Sequence, residues 1–315
     1  MSQIKIEERL QIETLLKAGV KQSAIALQLG RSRSTICKEI KRNSVDGNYC
    51  HAIAQKQTAA RRYNGRGNIL TNDNWTTVRS LLQQKWSPEQ ISGWLKENPE
   101  IGFYVSDQWI YEYIYADRAR GGELYKNLRR AGKPYKNGGK KQYRGKIKDR
   151  VDITVRPDII NKRQRLGDWE VDSVIGKMNQ SSIVTIVERV SRYTAIIKVK
   201  SKEAEQVSEA VIARMSNETL PVYSITGDNG TEFSDHKKIS EELGIDFYFT
   251  HPYSSWEKGT NENTNGLIRQ YFPKGTDFSM ITESMLAEVE AALNARPRKC
   301  LNYKTPNQVL GIRLN

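Results

Sequence analysis

From about Leu166 onward the residue pattern leaves few architectures open. Gly167 to Ile175 reads as a strand, and Ser182 to Glu188 and Tyr193 to Val199 read as two more. Turns at Gly176 to Gln180 and Arg189 to Arg192 separate them. A helix is expected over Ser201 to Met215 with Ser201 as its cap, then a fourth strand over Val222 to Thr226 ending at Gly227-Asp228-Asn229-Gly230. Another helix and the short strand Ile245 to Phe249 follow. A loop over His251 to Thr260 leads into a helix from Asn261 to about Gln270, and a last helix runs from Thr282 to Ala295, before Pro297. Three consecutive strands followed by alternating helix and strand predict an α/β domain, a mixed five-stranded sheet flanked by helices.

Such a sheet would collect three acids. Asp172 lies within the first strand, Asp228 at the C-terminal end of the fourth, and Glu262 opens a helix after a long loop. Phosphodiester chemistry on two divalent metals needs clustered carboxylates on rigid elements, and hard oxygen ligands suit magnesium. Each acid also has a plainer reading. Asp before Asn-Gly is a common turn residue, and Glu at a helix start is favoured by the helix dipole. Asp172 is the hardest to explain structurally, because a carboxylate inside an apolar strand is costly unless paired or metal-bound. Asp168 and Glu170 alternate with it on the same strand face and are rival ligands.

Charge divides the chain differently. Residues 1–150 hold 29 Lys and Arg against 14 Asp and Glu, a net +15, whereas the remainder holds 21 against 22. The whole excess sits in the N-terminal half, which points to a polyanionic partner. Residues 6–42 read as three short helices: Glu7 to Lys17, Gln22 to Leu29, and a third capped by Ser32. Ala26, Gly30 and Ile36 fit a helix-turn-helix, as the small residue at the crossing, the turn glycine and the apolar anchor. The third helix then offers Arg31, Arg33, Ser34, Thr35, Lys38, Lys41 and Arg42 to DNA, with Arg33, Ser34 and Thr35 near its N-terminus. The plainer reading is a helical bundle with a solvated basic face.

A similar pattern recurs. Ser87-Pro88-Glu89-Gln90 is a helix start, and Ser106 caps a helix from Asp107 to about Tyr115. Trp109, Ile110, Tyr113 and Ile114 are its expected core, and Gln108, Tyr111 and Glu112 its exposed positions. Residues 129–150 contain ten Lys or Arg and four glycines among twenty-two, a composition suited to a basic linker along a phosphate backbone. The expected organisation is all-α and then α/β: a helix-turn-helix module at 1–65, a second such module at 66–128, a basic linker at 129–160 and a catalytic domain at 161–315.

No apolar run approaches the ~20 residues of a membrane span, and the N-terminal residues lack the apolar core of a signal peptide. Cys37, Cys50 and Cys300 show no paired spacing, nor do they stand at zinc-site spacing from the histidines. No membrane partner is expected.

The motifs carry a family resemblance. Gly-Asp-Trp-Glu-Val-Asp at 167–172, Gly-Asp-Asn-Gly-Thr-Glu-Phe at 227–233 and the run from His251-Pro252-Tyr253 through Trp256-Glu257-Lys258-Gly259-Thr260-Asn261-Glu262-Asn263 to Arg269 resemble the insertion-sequence-thirty family of transposases, a branch of the Asp-Asp-Glu recombinases. The tail, Asn294-Ala295-Arg296-Pro297-Arg298-Lys299 and Thr305-Pro306, is similar too, as are the 33 residues between Asp228 and Glu262. Val171 departs from the glycine expected in many relatives.

The resemblance implies an RNase H-like, integrase-type fold. It assigns metal binding and catalysis to Asp172, Asp228 and Glu262, with two magnesium ions that manganese can replace. It implies terminal inverted repeats and target DNA as partners, nicking by water and attack by the freed 3′-hydroxyl. It further implies a homodimer or higher assembly on DNA, and a bacterial cytoplasm, at the nucleoid. Independently of the resemblance, Arg269 stands two turns after Glu262 and ~10 Å away, where it could hold a phosphate; its plainer reading is a solvated helix charge. Lys258 and Trp256 would contact DNA from a mobile loop, with local packing the plainer reading of Trp256. The alternatives are a non-catalytic DNA-binding regulator and a plain metal-dependent nuclease. Isosteric loss of an acid is expected to leave the metal-free fold as stable or more so, because clustered carboxylates repel.

Overall fold

The computed structural model describes residues 4–65, 70–131, 147–177, 181–252 and 254–311. Most of the basic stretch at 129–150 lies outside the described residues, as does the side chain of Trp256. The chain divides into two compact units, Met1–Thr71 and Asn72–Asn315.

In the first unit α1 (Ile6–Lys17), α2 (Gln22–Gln28) and α3 (Arg33–Asn43) follow the expected order. A two-residue hairpin, β1 (Ser44–Val45) and β2 (Asn48–Tyr49), leads into α4 (His51–Gly65). Ser32 caps α3 by accepting from the Thr35 backbone N–H. The helix-turn-helix template holds at each position. Ala26 and Ile36 are buried with Ile12, Ile25, Tyr49 and Ala54, and Gly30 takes φ 60° in the turn, where a β-carbon would be strained. Arg9 is buried too, between Glu39, Gln55 and Thr58, and ties α1 to α3 and α4.

The second unit starts with α5 (Asn72–Gln83), α6 (Pro88–Glu97) and α7 (Asp107–Ala119). Ser87 and Gln90 form the capping box of α6, and Ser106 caps α7. Ile110 and Ile114 are buried as expected, but Trp109 is 42% exposed. It meets Trp75 edge-on, while Tyr113 takes the stacked position on Trp75 at 3.9 Å.

The sheet that follows has six strands rather than five, in the order β3-β8-β7-β4-β5-β6. These are β3 (Val151–Asp152), β4 (Asp168–Ile175), β5 (Ser182–Glu188), β6 (Thr194–Val199), β7 (Ser224–Gly227) and β8 (Asp246–Phe249). The extra strand, β3, is two residues long and joins the edge beside β8, too short to leave an alternation in the sequence. Strands β3, β8, β7 and β4 run parallel, and β5 and β6 complete an antiparallel meander.

The helices of this part are α8 (Asp158–Asn161), α9 (Ala204–Ser216), α10 (His236–Leu243), α11 (Gly259–Ile268), α12 (Glu283–Asn294) and α13 (Pro306–Val309). Ser201 does not cap α9; the cap position is Glu203, and Ser201 Oγ accepts from its backbone N–H. One sheet face (Trp169, Val171, Val184, Ile186) packs with residues of α9 and α10, among them Val207, Val211 and Ile239. The other face (Val174, Ile183, Ile196) packs with Leu267 and Ile268 of α11 and Leu286, Val289 and Leu293 of α12.

The α5–α7 layer, read from sequence as a module at 66–128, belongs to this same unit. Gln90 Nε2 donates to the Pro297 carbonyl at 2.7 Å, and buried Arg296 donates to Gln90 Oε1 and Gln270 Oε1, both at 2.8 Å. A β-carbon at Gly93 would lie 2.2 Å from the Tyr303 ring, so only glycine permits this approach.

Candidate active site

The strand register brings the first two acids abreast. Glu170 on β4 pairs with Thr226 on β7. Two residues further on stand Asp172 and, just past the end of β7, Asp228, on neighbouring strands ~4.8 Å apart. Asp172 falls on the face that packs against α11, as the alternation with Val174 requires. Opposite it on β5 is Thr185. Glu262 is exposed on the first turn of α11, the helix that packs across β4 and β5.

Asp172 is held from α11 and the turn before it. Asn265 Nδ2 donates to its Oδ2 at 2.6 Å, and the Lys258 ammonium lies 3.3 Å from its Oδ1. Asn265 is itself fixed by Thr185, whose hydroxyl donates to Asn265 Oδ1 at 3.1 Å. Lys258 is buried. At Asp228, Oδ1 accepts from the Gly230 backbone N–H at 2.9 Å. Turned towards Lys258 and Asn265, Asp172 does not join Asp228 and Glu262 in a cluster with all oxygens within 4.8 Å.

The donor types of these residues suit a divalent metal, although the three carboxylates do not converge in this arrangement. The donors are hard carboxylate oxygens on rigid neighbouring elements, and Asp172 already attracts a cation, the Lys258 ammonium.

The rival acids are otherwise engaged. Asp168 is buried between Arg165, at 3.0 Å, and the Ser224 hydroxyl, at 2.7 Å. Glu170 is fully buried and ion-paired to Arg189, which also donates to the Ile160 carbonyl. Both carboxylates serve the scaffold beneath the site.

The other sequence candidates fall into two groups. Arg33, Ser34, Lys38, Lys41 and Arg42 are exposed along α3, and Thr35 is half-buried, its hydroxyl 2.8 Å from Ser32 Oγ. Arg31, by contrast, is drawn back onto Glu8 at 2.8 Å. Its hydrogen bonds hold the Glu8 carboxyl below its ordinary range. Arg269 donates to the carbonyls of Ile175, Phe272 and Pro273. Burial lowers its pKa. That guanidinium ties the end of β4 to the chain after α11.

Asn265 and Thr185 are the residues around Asp172 to which sequence reading gave no role. One signal was available: Thr185 is a hydroxyl in an otherwise apolar stretch of β5. Asn265 lies one helical turn after Glu262, which says nothing until the strand beneath it is known.

Residues 1–43 match a family of helix-turn-helix domains, and residues 162–255 match the integrase core domain. A helix-turn-helix unit ahead of an integrase-type core is the plan of a DNA transposase. Over nearly its whole length the chain is similar to insertion-sequence transposases. It is 42% identical to the transposase of element IS4351 from Bacteroides fragilis, over 96% of this chain and 93% of that one. It is 36% identical to the transposase of IS1086 from Cupriavidus metallidurans, over 98% and 94%. It is equally identical to transposase InsI of IS30A from Escherichia coli, over 98% and 84%. The chain belongs to the IS30 family of transposases, and its enzyme class is the Asp-Asp-Glu type. Among the described residues no helix is long and apolar enough to cross a membrane.

Proposed function

We propose that Asp172, Asp228 and Glu262 form the catalytic centre of this transposase, and that they hold two magnesium ions for which manganese can substitute. The observation that carries this is the register placing Asp172 and Asp228 abreast beneath the helix of Glu262. Bound metals would activate the attacking oxygen and stabilise the leaving one. Asn265 orients the Asp172 carboxylate, and Lys258 balances its charge until DNA and metal arrive. Lys258 then turns to the DNA backbone, with Arg269 as a second candidate contact.

The substrate would be the terminal inverted repeats of the element. Arg33, Ser34, Thr35, Lys38 and Arg42 on α3 would read the duplex, with Arg31 steadying that helix from behind. The α5–α7 region would be a second DNA-facing module, and residues 129–160 a basic connection. The protein would work at the nucleoid in a bacterial cytoplasm, as a homodimer or higher assembly, because two element ends must be handled together.

The test is a terminal-repeat duplex incubated with the protein in magnesium. Nicking at the element end followed by joining to a second duplex is expected. Nicking without joining would leave a plain nuclease, and binding without either would leave a regulator.

A further inference from the structure

A second charged cluster stands at the head of α11, apart from the acids. Arg163 follows α8, and Arg192 lies in the turn between β5 and β6. Both donate to one hydroxyl: Arg192 Nη1 lies 2.8 Å and Arg163 Nη2 3.3 Å from Thr260 Oγ1. Among the described residues neither arginine forms an ion pair with a carboxylate, and Glu170, the acid whose field reaches Arg163, is already paired to Arg189. Arg192 Nε is buried and has no hydrogen-bond partner.

The backbone adds a second sign. Arg163 has φ 54° and Arg192 has φ 64°. Residues with a β-carbon rarely hold this left-handed conformation, and it persists where surrounding structure or function fixes it. Two like charges are thus kept together at one hydroxyl, in strained backbone, without a balancing acid. Arg163 is exposed to solvent and Arg192 half-buried, so an incoming anion can reach both guanidinium groups.

We propose that Arg163, Arg192 and Thr260 form a seat for one backbone phosphate of the DNA led to the acid site. Two planar guanidinium forks match phosphate oxygens, and the first turn of α11 adds the positive end of its dipole. Thr260 is two residues before Glu262, about 200° around the helix. The seated phosphate is therefore a flanking one, not the one that reacts. Arg163 and Arg192 are positioning residues, and the inference rests on the transposase reading of the acids only for which polyanion arrives.

The test uses the full chain carrying Arg163→Gly and Arg192→Gly together. Glycine adopts both φ values without strain, so the melting temperature should be unchanged or higher. Binding of a terminal-repeat duplex is followed by fluorescence anisotropy over a salt series. Loss of one neutralised phosphate should weaken affinity about tenfold at low salt and make the slope of log K against log salt shallower by about 1. Arg192→Lys should keep that slope, because the charge remains. In a joining assay with pre-nicked ends the double variant should raise KM for DNA, with kcat within about twofold. Unchanged affinity and slope in a folded double variant would overturn the seat, and so would a large fall in melting temperature, which would mark both arginines as structural. The titration needs no catalysis, so a wild-type protein that neither nicks nor joins would fail the acid reading while leaving this one measurable.

Discussion

The two units differ in how far they bury their cations: among its described residues the first buries Arg9 alone, and the second buries a whole set. On α3, Arg33, Lys38, Lys41 and Arg42 stand exposed on one short helix. In the second unit Arg156, Arg189, Arg296 and Arg298 are buried. Desolvation pushes Arg296 down to about 9 and Arg156 and Arg298 to about 10, so all three are still protonated at neutral pH. They are spent on holding elements together: Arg156 on Asn161 and Thr226, Arg189 on Glu170, Arg296 on Gln90 and Gln270. Net charge, +8 for residues 1–71 and +6 for residues 72–315, does not distinguish the two uses. An exposed set acts on a polyanion at long range and yields to salt. A buried set acts at contact range and fixes geometry.

The acids should separate the units most sharply. Asp172→Asn, Asp228→Asn or Glu262→Gln should each abolish nicking and joining, while binding of the terminal repeat by the first unit persists. A double change should be no worse than a single one, because such a site fails as a whole. Stability should divide the three. Asp228→Asn and Glu262→Gln relieve repulsion and should leave the metal-free melt unchanged or higher. Asp172→Asn leaves the buried Lys258 ammonium without its carboxylate and should cost about 1–3 kcal/mol, contrary to the expectation from repulsion alone. Normal nicking by a folded Asp172→Asn protein would remove that residue from the site.

Next in size is Asn265. It touches Asp172 at 2.6 Å and is not one of the three acids. Asn265→Ala should lower kcat by about 10- to 100-fold, the usual cost of losing a residue that orients a metal ligand, with duplex binding intact. Asn265→Asp should be worse, placing a second negative charge against Asp172. Equal rates for wild type and Asn265→Ala would show that β4 alone holds Asp172 in place.

Legibility followed the same division. The helix-turn-helix was readable because Ala26, Gly30, Ser32 and Ile36 act within one local stretch, and each does in the structure what its type demands. The strands bearing Asp172 and Asp228 were readable from alternation; the role proposed for their acids rests on motif spacing. The partners of those acids were not. Asn265 meets Asp172 across 93 residues and Arg189 meets Glu170 across 19, and strand order decides both contacts. Asp168 and Glu170 looked like rival ligands for the same reason: alternation places them on one face with Asp172 and is silent about the arginines waiting there. The attachment of α6 to the segment after α12 was hidden likewise, since Gln90, Gly93, Arg296 and Tyr303 mean little apart.

On the exposed side of the comparison, Arg33→Ala should cost about 1–3 kcal/mol of discrimination at one or two base positions if Arg33 reads a guanine edge. Binding to a panel of singly substituted terminal repeats measures this. Uniform weakening over the panel, with a shallower salt slope, would instead make Arg33 a phosphate contact and move readout to Ser34, Thr35 or Lys38. Arg31→Ala should have the different signature of a lost brace, because Arg31 is engaged with Glu8: weaker binding with little change in base preference.

The smallest expected effect tests how the first unit is held behind its exposed cations. Glu13 on α1 accepts from Lys17 Nζ at 2.6 Å, and from the His51 backbone N–H at 2.7 Å and Nδ1 at 2.6 Å at the start of α4. These contacts, Lys17 first, hold its carboxyl down at about 2, below its ordinary 4.5. The folded value lies below the unfolded one, so the stabilisation is complete above about pH 4.5 and fades as pH falls towards 2. Glu13 is buried but its first partner, Lys17, is exposed, and a pair screened by solvent in this way contributes about 0.2–1 kcal/mol. Hydrogen exchange of the α4 amides, corrected for intrinsic rates, should therefore show protection falling roughly twofold to fivefold between pH 5 and 3, with a flatter response in Glu13→Gln. An identical acid response in that variant would place the opening elsewhere in the unit. Since α3 packs against α4, the same loosening should weaken duplex binding at acid pH more in wild type than in Glu13→Gln, once each is normalised to its value at pH 7.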